Sequence, residues 1–169
     1  MHETDEDRRR LQALLDRSYE GAGSHLRSIA TPERILTADQ ICELLVGVQV
    51  LSLATVTAAG EPRVAPVDGL FFRGEWWFGS STDSVRFRHL RQRPAVSAAH
   101  TSGEDLSVVT HGRAVEVDRD ADSTAGFRAY CVETYGDQWL DWGDGAAYAR
   151  IDADRMFTFA LDPAGLFDA

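Results

Sequence analysis

The chain has 169 residues, enough for one domain with a sizeable core, and its 44% hydrophobic content is ordinary for a globular protein. Its formal charge of −10 opposes binding to DNA, RNA or anionic lipid, so neither nucleic acid nor a membrane is an expected partner. No apolar run is long enough to cross a bilayer and no signal-peptide pattern precedes the domain, so the cytoplasm is the expected location.

The first segment predicts an amphipathic helix followed by a connecting arm. Between Glu3 and Tyr19, leucines fall on one helical face and charged residues elsewhere, and two glycines then end the helix. We expect Ser24 to Pro32 to be an arm that packs on the domain or on a second subunit. The chain therefore divides into an N-terminal helix and arm, residues 1–30, and a main domain, residues 31–169.

A short capped helix and a β-meander follow. Thr37 and Gln40 form a capping box, and the helix that they begin stops at Gly47. Two turns, at 58–61 and 73–74, then separate strand-like runs. These three runs span residues 48–57, 62–72 and 75–78. Pro66 lies inside the second run, which predicts an edge, a bulge or a place where a ligand replaces the sheet hydrogen bonds.

The second half of the main domain predicts a further hairpin, a helix and two final strands. A loop of small residues, 79–82, leads into a helix over 84–92. The later elements are a hairpin of strands 95–101 and 106–117, a helix at 121–135, a Trp-, Asp- and Gly-rich loop at 136–145, and strands at 146–151 and 156–161. About six strands with helices at the edges indicate a mainly β protein, a closed or split antiparallel barrel.

Hydroxyl groups and one arginine meet where the meander ends, and they indicate a phosphate site. Hydroxyls, the backbone N–H groups at a helix start and a guanidinium are the donors that a phosphate needs. The candidates are Ser80, Ser81, Thr82, Ser84 and Arg86. A plain N-cap on a surface helix explains the same residues, and we leave both interpretations open.

The sequence predicts different environments for two pairs of tryptophans. Trp76 and Trp77 are neighbours on a strand, so their side chains point to opposite faces, one into the core and one to the surface or an interface. Trp139 and Trp142 lie in the late loop, where large apolar side chains contact a ligand or partner, or cover the end of the barrel.

Other kinds of chemistry have little support in the sequence. The two cysteines show no CxxC or zinc spacing and are expected to be buried, reduced thiols. His89, His100 and His111 are scattered along the chain, so no metal site is predicted. Neither a nucleophile elbow nor a Gly-rich dinucleotide fingerprint is present in the sequence.

Three sequence runs together resemble a known family. They are LATVTAAGEPRVAPV, LFFRGEWWFGSSTDSVRFRHLRQRPAVSAA and VVTHGRAVEV. In this order they resemble the pyridoxamine 5'-phosphate oxidase-like flavin-binding split barrels, over Thr31 to Val117. The resemblance implies a six-stranded antiparallel split β-barrel with flanking helices, which forms a homodimer with two flavin sites at the subunit interface.

The resemblance also implies a role for individual residues. Main-chain atoms of the second strand would line the edge of the isoalloxazine ring, two serines would lie near the ribityl-phosphate arm, and Arg86 falls where the family has a phosphate-binding Lys or Arg. Ser107 falls where some members place a polar side chain from the other subunit. The strand residues are Val64, Ala65, Pro66 and Val67, and the serines are Ser80 and Ser81.

Departures from the family pattern argue against oxidation of pyridoxamine phosphate. The basic residues of the family are missing between Ala65 and Leu70 and at Val85, and the chain ends LFDA instead of in the usual Trp/Arg motif. The expected function is a flavin-dependent oxidoreductase that uses FMN or an 8-hydroxy-5-deazaflavin coenzyme on a small-molecule substrate, with no obligatory catalytic side chain. The alternatives are a non-enzymatic flavin- or haem-binding protein, in which the histidines matter more, and a cofactor-free dimeric module.

Overall fold

A computed structural model describes residues 2–167 of the protein. Six antiparallel strands close into a barrel in the order β1-β2-β3-β6-β5-β4. The strands are β1 (Val48–Val56), β2 (Pro62–Phe72), β3 (Glu75–Ser81), β4 (Ala95–Ser102), β5 (Leu106–Val117) and β6 (Ala146–Ala160). The α-helices are α1 (Asp5–Glu20), α2 (Ser24–Ile29), α3 (Ala38–Leu44), α4 (Val85–Gln92) and α5 (Ala125–Tyr135), and Asp137–Gly145 forms an irregular 3₁₀ segment before β6.

The main core fills the barrel and extends beneath α1. Alternate residues of the strands point inward, and Leu51, Trp76 and Ile151 are among those that are fully buried. Helix α1 adds its leucine face to the same cluster. It is fixed to β6 by polar contacts as well, since the Tyr19 hydroxyl donates to the Thr158 carbonyl. The N-terminal helix therefore packs on its own barrel.

A second apolar cluster lies on the outside of the barrel, between β2, β3 and β6 and helix α5. It contains Trp77, whose ring stacks on Phe127 of α5 with centroids 4.3 Å apart. Trp76 points into the barrel, so the two tryptophans do face opposite ways. Our expectation that the outer tryptophan lies at the surface or at an interface is wrong, because α5 of the same chain covers it and leaves it 8% exposed.

Strands β2 and β3 separate from each other, and this opening positions the candidate site. They pair only between Gly69 and Phe72 of β2, whereas the β2 residues from Pro62 to Asp68 pair with β1 alone. On the β3 side of the opening, Gly79–Ser81 pairs with β6 and not with β2. Pro66 lies on the resulting free edge, one of its three expected positions.

Several predicted elements differ from the structure. The arm contains a helix, α2, and the predicted loop at Gly79 continues β3 to Ser81. The two final strands are one long strand, β6, because its charged middle residues lie on the surface and do not interrupt the pairing with β5. The β5–β6 register shifts between His111 and Gly112. A Cβ on Gly112 would collide with the carbonyl oxygen of Asp152, so this position requires glycine.

Turn and cap chemistry explains why the remaining elements match the sequence. Gly60 and Gly74 have positive φ in the two turns of the meander. Thr37 and Gln40 form the predicted capping box at the start of α3. Within residues 2–167, none of the helices has the length and apolar character needed to cross a membrane.

Candidate functional site

A recess of about 260 Å³ opens where β2 and β3 separate, and the first turn of α4 closes it. Ser84 caps this helix by accepting a 3.3 Å hydrogen bond from the Phe87 N–H. The cap fixes the helix start beside the free edge of β2. The residues that line the recess are Leu53, Thr55, Arg63, Ala65, Ser80, Ser84, Val85, Arg86 and His89.

Arg86 is a half-buried cation that bonds to a backbone carbonyl. Its Nη2 donates a 2.8 Å hydrogen bond to the Pro66 carbonyl oxygen, which spans the opening between β2 and α4. Among the side chains that the structure describes, no carboxylate pairs with Arg86. Burial alone lowers the pKa of its guanidinium. A recess with this charge favours an anion.

Further polar groups surround Arg86. The β1–β2 register places Thr55 opposite Arg63, and both side chains line the recess. Arg63 forms a 2.7 Å ion pair with Glu61, and both side chains of that pair are more than half exposed. Thr55 Oγ1 and His89 Nδ1 are 3.0 Å apart. The recess thus combines two guanidinium groups, hydroxyls and an imidazole.

A larger cavity of about 400 Å³ adjoins the recess on the outer face of the barrel. It lies between the end of β2, strand β3 and the layer formed by α5 and the 3₁₀ segment. Ser80 lines both the recess and the cavity, so the two are neighbours along β3. Other residues that line the cavity are Asp68, Trp77, Ser81, Phe127, Cys131, Tyr135, Trp139, Trp142 and Tyr148.

The cavity wall is aromatic and its phenols stay protonated. Burial raises the pKa of Tyr148, which the positive charge of Arg119 opposes. Burial also raises the pKa of Tyr135, to about 12, with a further contribution from the Asp68 carboxylate. At neutral pH both phenols can therefore donate a hydrogen bond to a bound molecule.

The two late tryptophans have different positions. Trp139 is fully buried, with its ring 5.5 Å from that of Tyr148, and it forms part of the cavity wall. Trp142 is 49% exposed and lies 5.2 Å from the Tyr135 ring. The segment that carries them is a 3₁₀ element and not an open loop.

The structure brings some of the predicted site residues together and separates others. Ala65, Ser80, Ser84 and Arg86 line the recess, while Ser81, Trp139 and Trp142 line the cavity with Ser80. Val64 and Pro66 lie on the outer face of the free edge, and Val67 points into the core. Ser107 lies on β5 and lines neither space within one chain.

Sequence reasoning did not assign Thr55, Arg63, His89 or Asp68 to these two spaces, and it missed the aromatic residues of the cavity wall other than Trp139 and Trp142. Thr55 and Arg63 meet because of the register of β1 on β2, which the sequence does not reveal. His89 lies three residues after Arg86 on α4, and this helical spacing is a signal that could have found it.

Metal binding has no support in the described part of the chain. Within it, no three His, Cys, Asp or Glu residues are grouped so that they could hold an ion. The three histidines lie on different elements, and each has a hydrogen-bonding partner for Nδ1, respectively Thr55, Val50 and Ser97.

The family model for pyridoxamine 5'-phosphate oxidase matches residues 37–164, which include the whole barrel. The chain belongs to this family. The match spans the free edge of β2, the start of α4 and the cavity, so both candidate spaces are part of the family domain. A comparison with curated proteins finds no match to the chain.

Solved structures share the fold at low sequence identity. A conserved hypothetical protein, Rv2991 of Mycobacterium tuberculosis, is 18% identical with a TM-score of 0.65, over 79% of this chain and 91% of that one. The haem storage protein HutZ of Vibrio cholerae is 20% identical with a TM-score of 0.60, over 73% and 94%. An FAD-binding protein of Mesorhizobium loti is 21% identical with a TM-score of 0.58, over 74% and 93%.

Proposed function

We propose that the protein is a flavin-dependent oxidoreductase that binds FMN, or a deazaflavin coenzyme, and transfers hydride to a small substrate. The observation that carries this proposal is the half-buried guanidinium of Arg86, which has no carboxylate partner among the described side chains. A phosphate at the end of a ribityl chain supplies the missing negative charge. The solved FAD-binding protein with the same fold supports a flavin in general.

The recess fits the phosphate by the chemistry of its donors. Arg86 and Arg63 supply cations, and Ser84 and Ser80 supply hydroxyls. The Thr55–His89 contact holds the imidazole against the wall of the recess. Ser80 also lines the neighbouring cavity, so a ribityl chain that passes this residue links a phosphate in the recess to a ring outside it.

The free edge of β2 fits the flavin ring. In an antiparallel strand, the N–H and C=O of one residue point to the same side, and successive residues alternate. The Pro66 carbonyl points toward Arg86, so the free backbone groups of Val64 and Asp68 also point to the open side. Proline has no N–H to leave unsatisfied there. Between Ala65 in the recess and Asp68 in the cavity lie about 10 Å of strand.

The chemistry follows from what the chain does for a bound cofactor. The flavin or deazaflavin supplies the hydride transfer itself. The residues of the recess hold the phosphate, the β2 edge orients the ring, and the aromatic wall with Trp139 and Trp142 excludes water from the substrate side. No side chain is assigned an obligatory acid or base role.

The proposal includes a homodimer. The outer face formed by β2, β1, β4 and β5 consists mainly of small and apolar residues, and Val50 and Val64 are 60% and 66% exposed on it. Pairing places Ser97, Ala99, Val109 and Ser107 on the same face. A second copy that covers this face brings the partner's Ser107 toward the free edge of β2, which is the role that the family resemblance implies.

A second candidate is a non-enzymatic haem-binding protein. The haem storage protein HutZ has the same fold. In this chain the Val50 carbonyl can only accept, so His100 Nδ1 donates to it, at 3.2 Å. His100 would be the residue that holds a haem iron, through its other ring nitrogen.

A thermal-shift titration with FMN, the deazaflavin coenzyme and haem separates these candidates. A ligand that binds the folded state raises the melting temperature by mass action. The proposal predicts a rise with FMN or the deazaflavin coenzyme and a flavin-type absorbance spectrum. A rise with haem alone, together with a Soret band, would replace it by the haem-binding candidate, and no rise with any of the three would reject both.

A further inference from the structure

The walls of the 400 Å³ cavity consist mainly of aromatic rings. Several are held by contacts with one another: Trp77 stacks on Phe127, and Phe127 meets Tyr148 edge-on at 6.1 Å between centroids. Neighbouring contacts immobilise the rings before any ligand arrives, which lowers the entropy cost of binding. A cavity of this size and lining suits one small, flat ring system.

Asp68 is the charged side chain of this cavity. Among the described residues that line it, there is no Lys, Arg or His. Asp68 is exposed and forms no ion pair with a described residue. It lies on the same face of β2 as Leu70, whose side chain is part of the aromatic cluster. A carboxylate therefore stands at the edge of an aromatic box.

One guanidinium lies close to the cavity without entering it. The Arg119 side chain is 4.5 Å from the centroid of the Trp139 ring, and it lines a separate groove with Asp118 and Asp120. Its Nε is 3.6 Å from an Asp120 carboxylate oxygen, so its charge is partly matched. Asp68 is left without an ion-pair partner among the described residues, and its charge acts on Tyr135 of the cavity wall.

We propose that this cavity selects a flat, positively charged aromatic or heteroaromatic substrate. The aromatic faces attract a cation through their quadrupoles, and Asp68 supplies the opposite formal charge. The net charge of −10 of the whole chain also favours the approach of a cation. The inference deepens the proposed function, since the cavity is the place that the oxidoreductase proposal assigns to the substrate.

The test compares three bicyclic compounds of similar size and different charge. Isothermal titration measures the binding of the 1-methylquinolinium cation, neutral quinoline and the 1-naphthoate anion at pH 7.5, with and without saturating FMN. The cation should bind about tenfold more tightly than quinoline, and naphthoate should bind most weakly. Equal affinities, a preference for the anion or no binding of the cation would overturn the inference.

Two variants assign the preference to the cavity. Asp68→Asn should weaken binding of the cation about tenfold and leave quinoline unchanged, while Glu104→Gln, an equal change of charge at an exposed turn outside the cavity, should change neither. Unchanged cation binding by Asp68→Asn would contradict the inference. Flavin binding is measured separately. If the protein binds FMN but does not prefer the cation over quinoline, only the proposed substrate class is rejected. If it prefers the cation but binds no flavin, only the oxidoreductase proposal is rejected.

Discussion

The guanidinium of Arg86 donates a 2.8 Å hydrogen bond to the carbonyl oxygen of Pro66. One residue is on α4 and the other is on the free edge of β2, so the contact spans the opening between two elements that do not otherwise pair there. A proline suits this edge because it leaves no unpaired N–H. An arginine suits it because it satisfies the carbonyl and keeps further donors for an anion.

Replacement of Arg86 tests the phosphate assignment. Arg86→Ala removes a charge-assisted contact, so the affinity for FMN should fall by about 1.5–3 kcal/mol, or roughly 10- to 150-fold. Arg88→Ala is the matched control, since Arg88 is exposed on the same helix and does not line the recess. Fluorescence titration measures both variants, and equal affinities of Arg86→Ala and the wild type would show that the phosphate binds elsewhere.

The apolar outer face predicts the oligomeric state. Light scattering after gel filtration should give twice the chain mass for the wild type, because exposed valines such as Val50 and Val64 would be covered by a second copy. Val64→Lys should give the monomer mass, since it buries an unpaired charge in the dimer. Ile29→Lys, at an exposed apolar residue on α2, should leave the mass unchanged. A monomeric wild type would reject the dimer.

The thiols should be inert in the native protein. Burial raises the pKa of both Cys42 and Cys131 to about 12, and they are 3% and 1% exposed. Because the thiolate is the reactive form, neither should react with a disulfide reagent such as DTNB at pH 8, and both should react once denaturant is added. Rapid reaction of one thiol per chain without denaturant would show that the wall of the cavity at Cys131 opens.

Asp7 should contribute stability that acid removes. Burial raises the pKa of its carboxyl, but the hydrogen bonds from the Thr4 N–H and hydroxyl and the charge of Arg10 outweigh this, so the net pKa lies below the usual value of an aspartate. A depressed folded-state pKa means that the contribution is complete above the unfolded-state value and is lost as the pH falls through the lower folded-state value.

Urea unfolding of Asp7→Ala measures this contribution. The variant should lose about 1 kcal/mol at pH 7, the usual value of a capping interaction, and its deficit against the wild type should shrink toward pH 2. Asp5→Ala, an exposed acidic residue in the same first turn, is the control and should cost less. A deficit that stays constant with pH would show that packing and not ionisation accounts for it.

Local patterns were sufficient to predict most of the fold. Gly60 and Gly74 marked the turns of the meander because those turns require positive φ, and Thr37 marked a helix start because its hydroxyl accepts a backbone N–H. The break predicted near Asp154 was wrong. This residue has no partner on β5, because Arg155 pairs with His111 and Ala153 with Gly112, so a bulge absorbs it and the strand continues.

The site was predictable only where its residues are close in the sequence. Ser84 and Arg86 share one helix start, and the pattern of hydroxyls before a helix was enough to select them. Arg63 reaches the same recess through the pairing of β1 with β2, and Asp68 and Trp142 line one cavity only because the 3₁₀ segment folds over the outer face. These relationships depend on strand register and on tertiary packing.

The most direct test of the account is the affinity difference that the phosphate makes. Titration of the purified protein with FMN and riboflavin, and with the deazaflavin coenzyme and its dephosphorylated counterpart, compares ligands that share a ring and differ in the group that Arg86 would hold. We predict that one phosphorylated ligand binds at least about tenfold more tightly than its partner. Equal binding within both pairs, or no binding of either phosphorylated ligand, would contradict the assignment of the recess.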